Sequence, residues 1–227
     1  MTEMEKYRIF DNELEKLTER VIKMSHLVEE QVSNAIIALN NCDIELAKLV
    51  IENDNKVDKL DVKIDKLCQK IFALQQPVAT DLRYIISSLK INNDLERIGD
   101  HAVNIAKRID SLCDYSNFSK EFGVSDVANK TVMLYKDVNQ LIKTHNLIFA
   151  NDIFQNAISI KDSCQQISEK IIEEMMNQKE VILVATNLMI IVNLIERIAA
   201  YSTNVAESII FVVEGKIIKH QKKNDEY

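Results

Sequence analysis

The sequence predicts an all-α protein of two tandem three-helix bundles in an elongated six-helix architecture. Three observations lead there. The 227 residues include three Gly, one Pro and no Trp, too few turn-formers for the many connections of a sheet-rich fold. Apolar residues recur at helical spacing along nearly the whole chain. A stretch of the first half also returns in the second.

The first helix is expected from about Glu5 to Asn40, with Leu14, Leu17, Val21, Met24, Val28, Val32 and Leu39 on one face. Asn40, Asn41 and Asp43 punctuate it, and Asp43 is placed to cap the next helix. The second helix carries a heptad, with Val50, Val57, Ile64 and Ile71 at one core position and Leu60, Leu67 and Leu74 at the other. Pro77 ends it or opens the third helix, which is expected to reach about Cys113. The stretch DYSNFSKEFGVS, with its Gly123, reads as the linker. Further helices are expected over Asp126–Ala150, Asp152–Asn177 and Glu180–Val213, the last stopped by Gly215.

LERIGDHAVNIAK from Leu95 matches IERIAAYSTNVAE from Ile195, an offset of 100 (196 − 96). The expected organisation is therefore a first repeat over 1–115, a linker at 116–123 and a second repeat with a short basic tail over 124–227.

Composition excludes several functions. The net charge is −7 and no basic cluster lies within the body of the chain, a poor match for nucleic acid, whose phosphates demand cations. The N-terminus is charged throughout and resembles no signal peptide. No run of about 18 apolar residues offers a membrane span; Val181 to Ile195 comes nearest, interrupted by Asn187 and Asn193. Cys42, Cys68, Cys113 and Cys164 form no CxxC pair and read as buried thiols of a reducing cytoplasm.

The candidate chemistry is acidic. Asp54, Asp58, Asp61 and Asp65 fall within a stripe roughly 60° wide on the second helix. Glu96 and Asp100 lie four apart on the third, with Asn93 and Asn104 beside them. If the two helices pack antiparallel, Asp54/Asp58 and Glu96/Asp100 meet across a groove. Two like charges 4 Å apart cost about 4 kcal/mol at an effective dielectric near 20, so such carboxylates take up protons, splay into water or recruit a cation. All-oxygen ligation suits magnesium, calcium, manganese or iron better than zinc. The competing reading is a solvated face in which Lys56, Lys59, Lys63 and Lys66 serve as salt-bridge partners.

His101 and Arg97 read as structural residues. No histidine follows a Glu by three residues, as a di-iron bundle requires, and no phosphate loop, GxSxG or HExxH occurs. An enzyme is not expected.

The run DNKVDKLDVKIDKLCQKIFALQQPVATDLRYIISSLKINNDLERIGDHAVNIAK resembles the PhoU family: an acidic DxxxD, then QQPVAxDLR, then DLERIGDHAxNIA. RIFDNELEKL and VVEGKIIKH resemble that family's ends, so the likeness spans nearly the whole chain. It implies a cytoplasmic, homodimeric negative regulator of phosphate uptake and starvation signalling. The implied partners are the ATPase of a phosphate ABC transporter and a phosphate-sensing histidine kinase, without direct membrane insertion. It also implies multivalent metal, with iron, manganese or magnesium favoured over zinc, on Asp54, Asp58, Glu96 and Asp100. Asp81, Asn93, Asn104 and Glu196 are possible supports. The alternative is a purely structural helical adaptor without metal.

The second half departs from this pattern. Asp100 and His101 correspond to Ala200 and Tyr201. Aligning Ala47 with Ala150, an offset of 103 (150 − 47), puts Ala157 at the place of Asp54 and Lys161 at that of Asp58. A register shifted to Asp162 offers Asp162 and Gln166 instead. Either way, a lost or weakened second site is expected.

Overall fold

The computed structural model describes residues 3–75, 77–115 and 121–218. Six long helices account for most of them: α1 Glu3–Asn41, α2 Ile44–Gln75, α3 Ala79–Ala106, α4 Val124–Thr144, α5 Ile148–Asn177 and α6 Ile182–Glu214. Two 3-10 segments, Asp110–Tyr115 and Lys179–Val181, complete the set. Part of the expected linker, 116–120, and the tail beyond 218 lie outside the described residues. At 1.5 Å per residue, the 39 residues of α1 extend about 58 Å.

Helices α1–α3 form one bundle and α4–α6 the other, joined by contacts of α3 with α6 and of α1 with α4. Asp43 caps α2 as expected, its Oδ1 accepting from the Leu46 amide at 2.9 Å. The heptad of α2 is core at Val50, Val57, Leu60, Ile64, Leu67 and Ile71, but Leu74 is 65% exposed at the helix end.

Three expectations are corrected. Helix α3 stops at Ala106, and the chain continues to Cys113 through a 3-10 turn. Helix α4 stops at Thr144, not Ala150, with His145 in the left-handed conformation as its C-cap. There Asn146 Oδ1 accepts from the Ile148 amide at 3.1 Å and restarts the chain as α5. Cys42 and Cys113 are not free thiols. They form a disulfide with Cα atoms 5.5 Å apart, because the α1–α2 corner meets the turn after α3. Cys68 and Cys164 are free and buried, as expected.

By length and composition, Lys179–Glu214 is apolar enough to cross a membrane, with an 18-residue window of mean hydropathy 1.9. The helix packs against α3, α4 and α5, and its Val184, Leu188, Ile191, Ile195 and Ile198 are core. Of that window 39% is buried inside the fold, so core packing accounts for part of this composition.

Burial fixes the register of the repeats. Ten buried positions of α1, from Val21 to Leu39, recur as the buried positions of α4, from Val124 to Ile142, at an offset of 103 (124 − 21). Between α2 and α5 the same offset pairs buried Ala47, Val50, Val57, Ile64 and Cys68 with Ala150, Ile153, Ile160, Ile167 and Ile171. Between α3 and α6 the offset is 100, pairing Ile91, Leu95 and Ile98 with Ile191, Ile195 and Ile198.

Helices α3 and α6 cross antiparallel. Asn204 Nδ2 donates to Asp94 Oδ1 at 3.4 Å, and Lys90 sits 5.8 Å from the centre of the Phe211 ring. The Arg83 guanidinium lies 3.6 Å from where a Cβ on Gly215 would stand. The DLR motif thus meets VVEGK across this crossing. Gly215 takes φ 71° as the C-cap of α6, a conformation that favours glycine.

Candidate metal groove

Helices α2 and α3 are consecutive and antiparallel, and this sets their carboxylates face to face. Asp54 feels Asp58 on its own helix and Asp100 across the groove. Glu96 feels Asp100, Asp61 and Asp58, and Asp61 feels Asp65 and Asp58. The four carboxylates expected to pair therefore line one groove, and Asp61 and Asp65 extend it.

The electrostatics follow from crowding and burial. Burial foremost pushes the Asp54 carboxyl above the usual carboxylate range, reinforced by Asp58 and Asp100 and opposed by the Gln31 amide and Lys107. Burial also raises Glu96, with Asp100 the next contributor and Arg97 opposing. Burial raises Asp61, with Asp65 adding to the effect and the Asn92 amide opposing it. Lys107 and Arg97 are the cations that oppose these shifts, and the upward direction persists at Asp54 and Glu96, the electrostatic setting that recruits a cation.

Two buried amides hold this charge in place. Gln31, 4% exposed on α1, donates from Nε2 to Asp54 Oδ1 at 2.9 Å. Asn92, 1% exposed on α3, donates from Nδ2 to Asp61 Oδ1 at 2.6 Å and to Asp65 Oδ1 at 3.2 Å. The Gln31 and Asn92 side-chain carbonyl oxygens are both buried without a hydrogen-bond partner. Neither residue was singled out from the sequence. The available signal was a polar side chain on an otherwise apolar helix face.

The other candidates are placed as follows. Asn93 is exposed and Asn104 half-buried, both on the helical stripe of Glu96 and Asp100. Asp81 sits in the first turn of α3, about 22 Å along the axis from Glu96. It stands outside the groove, where its charge suits a helix N-terminus.

Glu196 lies beside Cys164, whose buried thiol is pushed up to about 12 chiefly by desolvation and further by Glu196. Cys164 is the counterpart of Asp61 at the offset of 103, and Glu196 that of Glu96 at 100. The electrostatic influence seen between these positions in the first half thus recurs in the second, with a thiol replacing a carboxylate. This supports the register that sets Ala157 and Lys161 in place of Asp54 and Asp58.

In this arrangement no three Asp, Glu, His or Cys side chains among the described residues converge tightly enough to share one ion. The first-half donors are spread along the groove. Their chemistry nevertheless fits a hard cation: all are oxygens, most are anionic, and two buried carbonyl oxygens lack partners.

The PhoU domain model matches residues 21–109 and 124–209, both repeats of the chain. The chain belongs to the PhoU family. A phosphate-specific transport system accessory protein PhoU homolog of Clostridium acetobutylicum is 30% identical over 210 residues, 92% of this chain and 96% of that protein. A protein of the same description from Aquifex aeolicus is 35% identical over 217 residues, 92% and 95% of the two chains. The crystal structure of PhoU from Pseudomonas aeruginosa superposes with a TM-score of 0.84 at 29% identity, covering 91% of this chain and 100% of that one. The six-helix, two-repeat architecture expected from the sequence is thus that of a PhoU protein.

Proposed function

We propose that this PhoU protein regulates phosphate uptake and phosphate-starvation signalling, damping both when phosphate is plentiful. Its contacts in this reading are the ATPase of a phosphate ABC transporter and a sensor histidine kinase, with the protein working as a homodimer in the cytoplasm. The observation that carries the reading is the match of both repeats to the PhoU model, alongside relatives named as accessory proteins of the phosphate-specific transport system. Deleting the gene is expected to leave phosphate-transport genes active in high phosphate. Normal repression in the deletion strain would sink the proposal.

Metal belongs to the same reading. Asp54, Asp58, Glu96 and Asp100 would hold a hard multivalent cation, which would supply the charge that the groove lacks and draw the splayed carboxylates together. Iron, manganese and magnesium suit these oxygens better than zinc. The spread of the donors favours one alternative, a helical adaptor that works without metal. Elemental analysis of protein purified without chelator separates the two: the metal reading expects bound iron, manganese or magnesium, the adaptor reading none.

A further inference from the structure

The structure assigns Gln31 and Asn92 as positioning residues that hold the first-half carboxylates ready for a cation; this rests on the metal reading above. Each amide is almost wholly buried, each donates to a carboxylate of the groove, and each keeps a buried carbonyl oxygen without a partner. Burying an unpaired polar atom is unfavourable, so the fold gains little from either residue.

The second repeat is an internal control. At the register fixed by burial, Gln31 corresponds to Leu134 and Asn92 to Val192, which are 0% and 1% exposed. The same bundle therefore packs with plain aliphatic side chains at both positions. What differs is the groove: Asp54, Asp58, Asp61, Asp65 and Asp100 become Ala157, Lys161, Cys164, Ser168 and Ala200. The amides occur in the half that has the carboxylates and are absent from the half that has lost them.

Gly99 belongs to the same device. A Cβ there would stand 2.8 Å from Gln31 Oε1, so the glycine leaves room for the amide head that reaches Asp54. Its counterpart is Ala199, 1% exposed, in the half where leucine replaces the glutamine. Three positions thus change together with the acidic set, and none of the three is among the four carboxylates that would hold the cation. Outer groups that orient metal ligands commonly contribute 10- to 100-fold in affinity.

The test uses full-length protein stripped of metal, with Mn2+ as the probe and free Mn2+ read by electron paramagnetic resonance. Gln31→Leu and Asn92→Val install the side chains that the second repeat already packs. Gln31→Leu, which frees the ligand Asp54, is expected to weaken Mn2+ binding roughly 10- to 100-fold, and Asn92→Val, which frees the flanking Asp61 and Asp65, to weaken it by a smaller factor, while the metal-free unfolding midpoint of each stays level or rises. A variant that keeps wild-type affinity overturns the role for that residue. Lost affinity together with a lower metal-free midpoint also overturns it, because the amide would then be holding the fold. Wild-type protein that takes up no Mn2+ would defeat the metal reading itself, and the positioning role with it, an outcome distinct from the other two.

Discussion

His101 and Tyr201 hold the same place in the two repeats and stand against each other, ring centroids 5.5 Å apart and planes tilted by 44°. A contact between equivalent positions puts the pseudo-twofold axis of the molecule between them, at the antiparallel crossing of α3 and α6. His101 is 8% exposed, and neither of its ring nitrogens has a hydrogen-bond partner. Burial foremost, then Arg197, pulls its pKa below the ordinary value of 6.5, with Arg97 adding to the effect and Asp100 opposing it.

A stability prediction follows with a definite sign. A histidine with a lowered folded pKa binds its proton more readily in the unfolded chain, so stability is lost as pH falls from about 6.5 through the lowered value. His101→Phe keeps the ring and removes this titration. In EDTA, the wild type is expected to lose stability relative to His101→Phe across that window. Chemical unfolding of both proteins at a series of pH values measures it, and a pH-independent difference would rule the account out.

Removing two groove carboxylates is expected to separate metal binding from folding. Asp58→Ala combined with Asp100→Ala takes away one donor from each helix and relieves repulsion on Asp54 and Glu96. The metal-free double variant should be at least as stable as metal-free wild type. Its metal content, measured by elemental analysis, should fall to background, and the stabilisation that added Mn2+ gives the wild type by mass action should vanish. Unchanged metal content would show the ligands to be elsewhere.

Gly99→Ala is expected to disturb the groove without harming the bundle. Alanine gains up to about 1 kcal/mol over glycine in a helix interior, and the crowded neighbour is the free end of a flexible side chain. Net stability should change by less than about 1 kcal/mol, while Mn2+ affinity falls as Gln31 is displaced from Asp54. In a Gln31→Leu background the same change should have little further effect on affinity, the non-additivity expected of residues acting through one contact. Independent, additive losses in the double-mutant cycle would argue against the coupling.

Much of this was legible in the sequence, because periodicity and repetition report on packing. The α2 heptad, the Asp43 cap, the Gly215 stop and the offset of 100 all mark positions where local chemistry and burial agree. The α4–α5 joint lies ahead of the expected Ala150–Asp152 boundary because neither Gly nor Pro marks it. The real break is a left-handed His145 followed by an Asn146 side-chain turn. The Cys42–Cys113 disulfide depends on a contact 71 residues apart in sequence, which spacing alone cannot reveal. The acidic groove was legible because i, i+4 carboxylates declare a face. The amides that hold it were not, since a single Gln or Asn within an apolar stripe gains meaning only beside its aliphatic counterpart in the other repeat.

In the function proposed above, the first repeat carries the cation site and the second has lost it. Anomalous scattering from crystals of the full-length protein grown with Mn2+ tests this most directly. An anomalous peak is expected between α2 and α3, within reach of Asp54, Asp58, Glu96 and Asp100. None is expected at the corresponding place beside Glu196, and Glu196→Gln should leave the first peak unchanged. Peaks of equal occupancy in both repeats would contradict it.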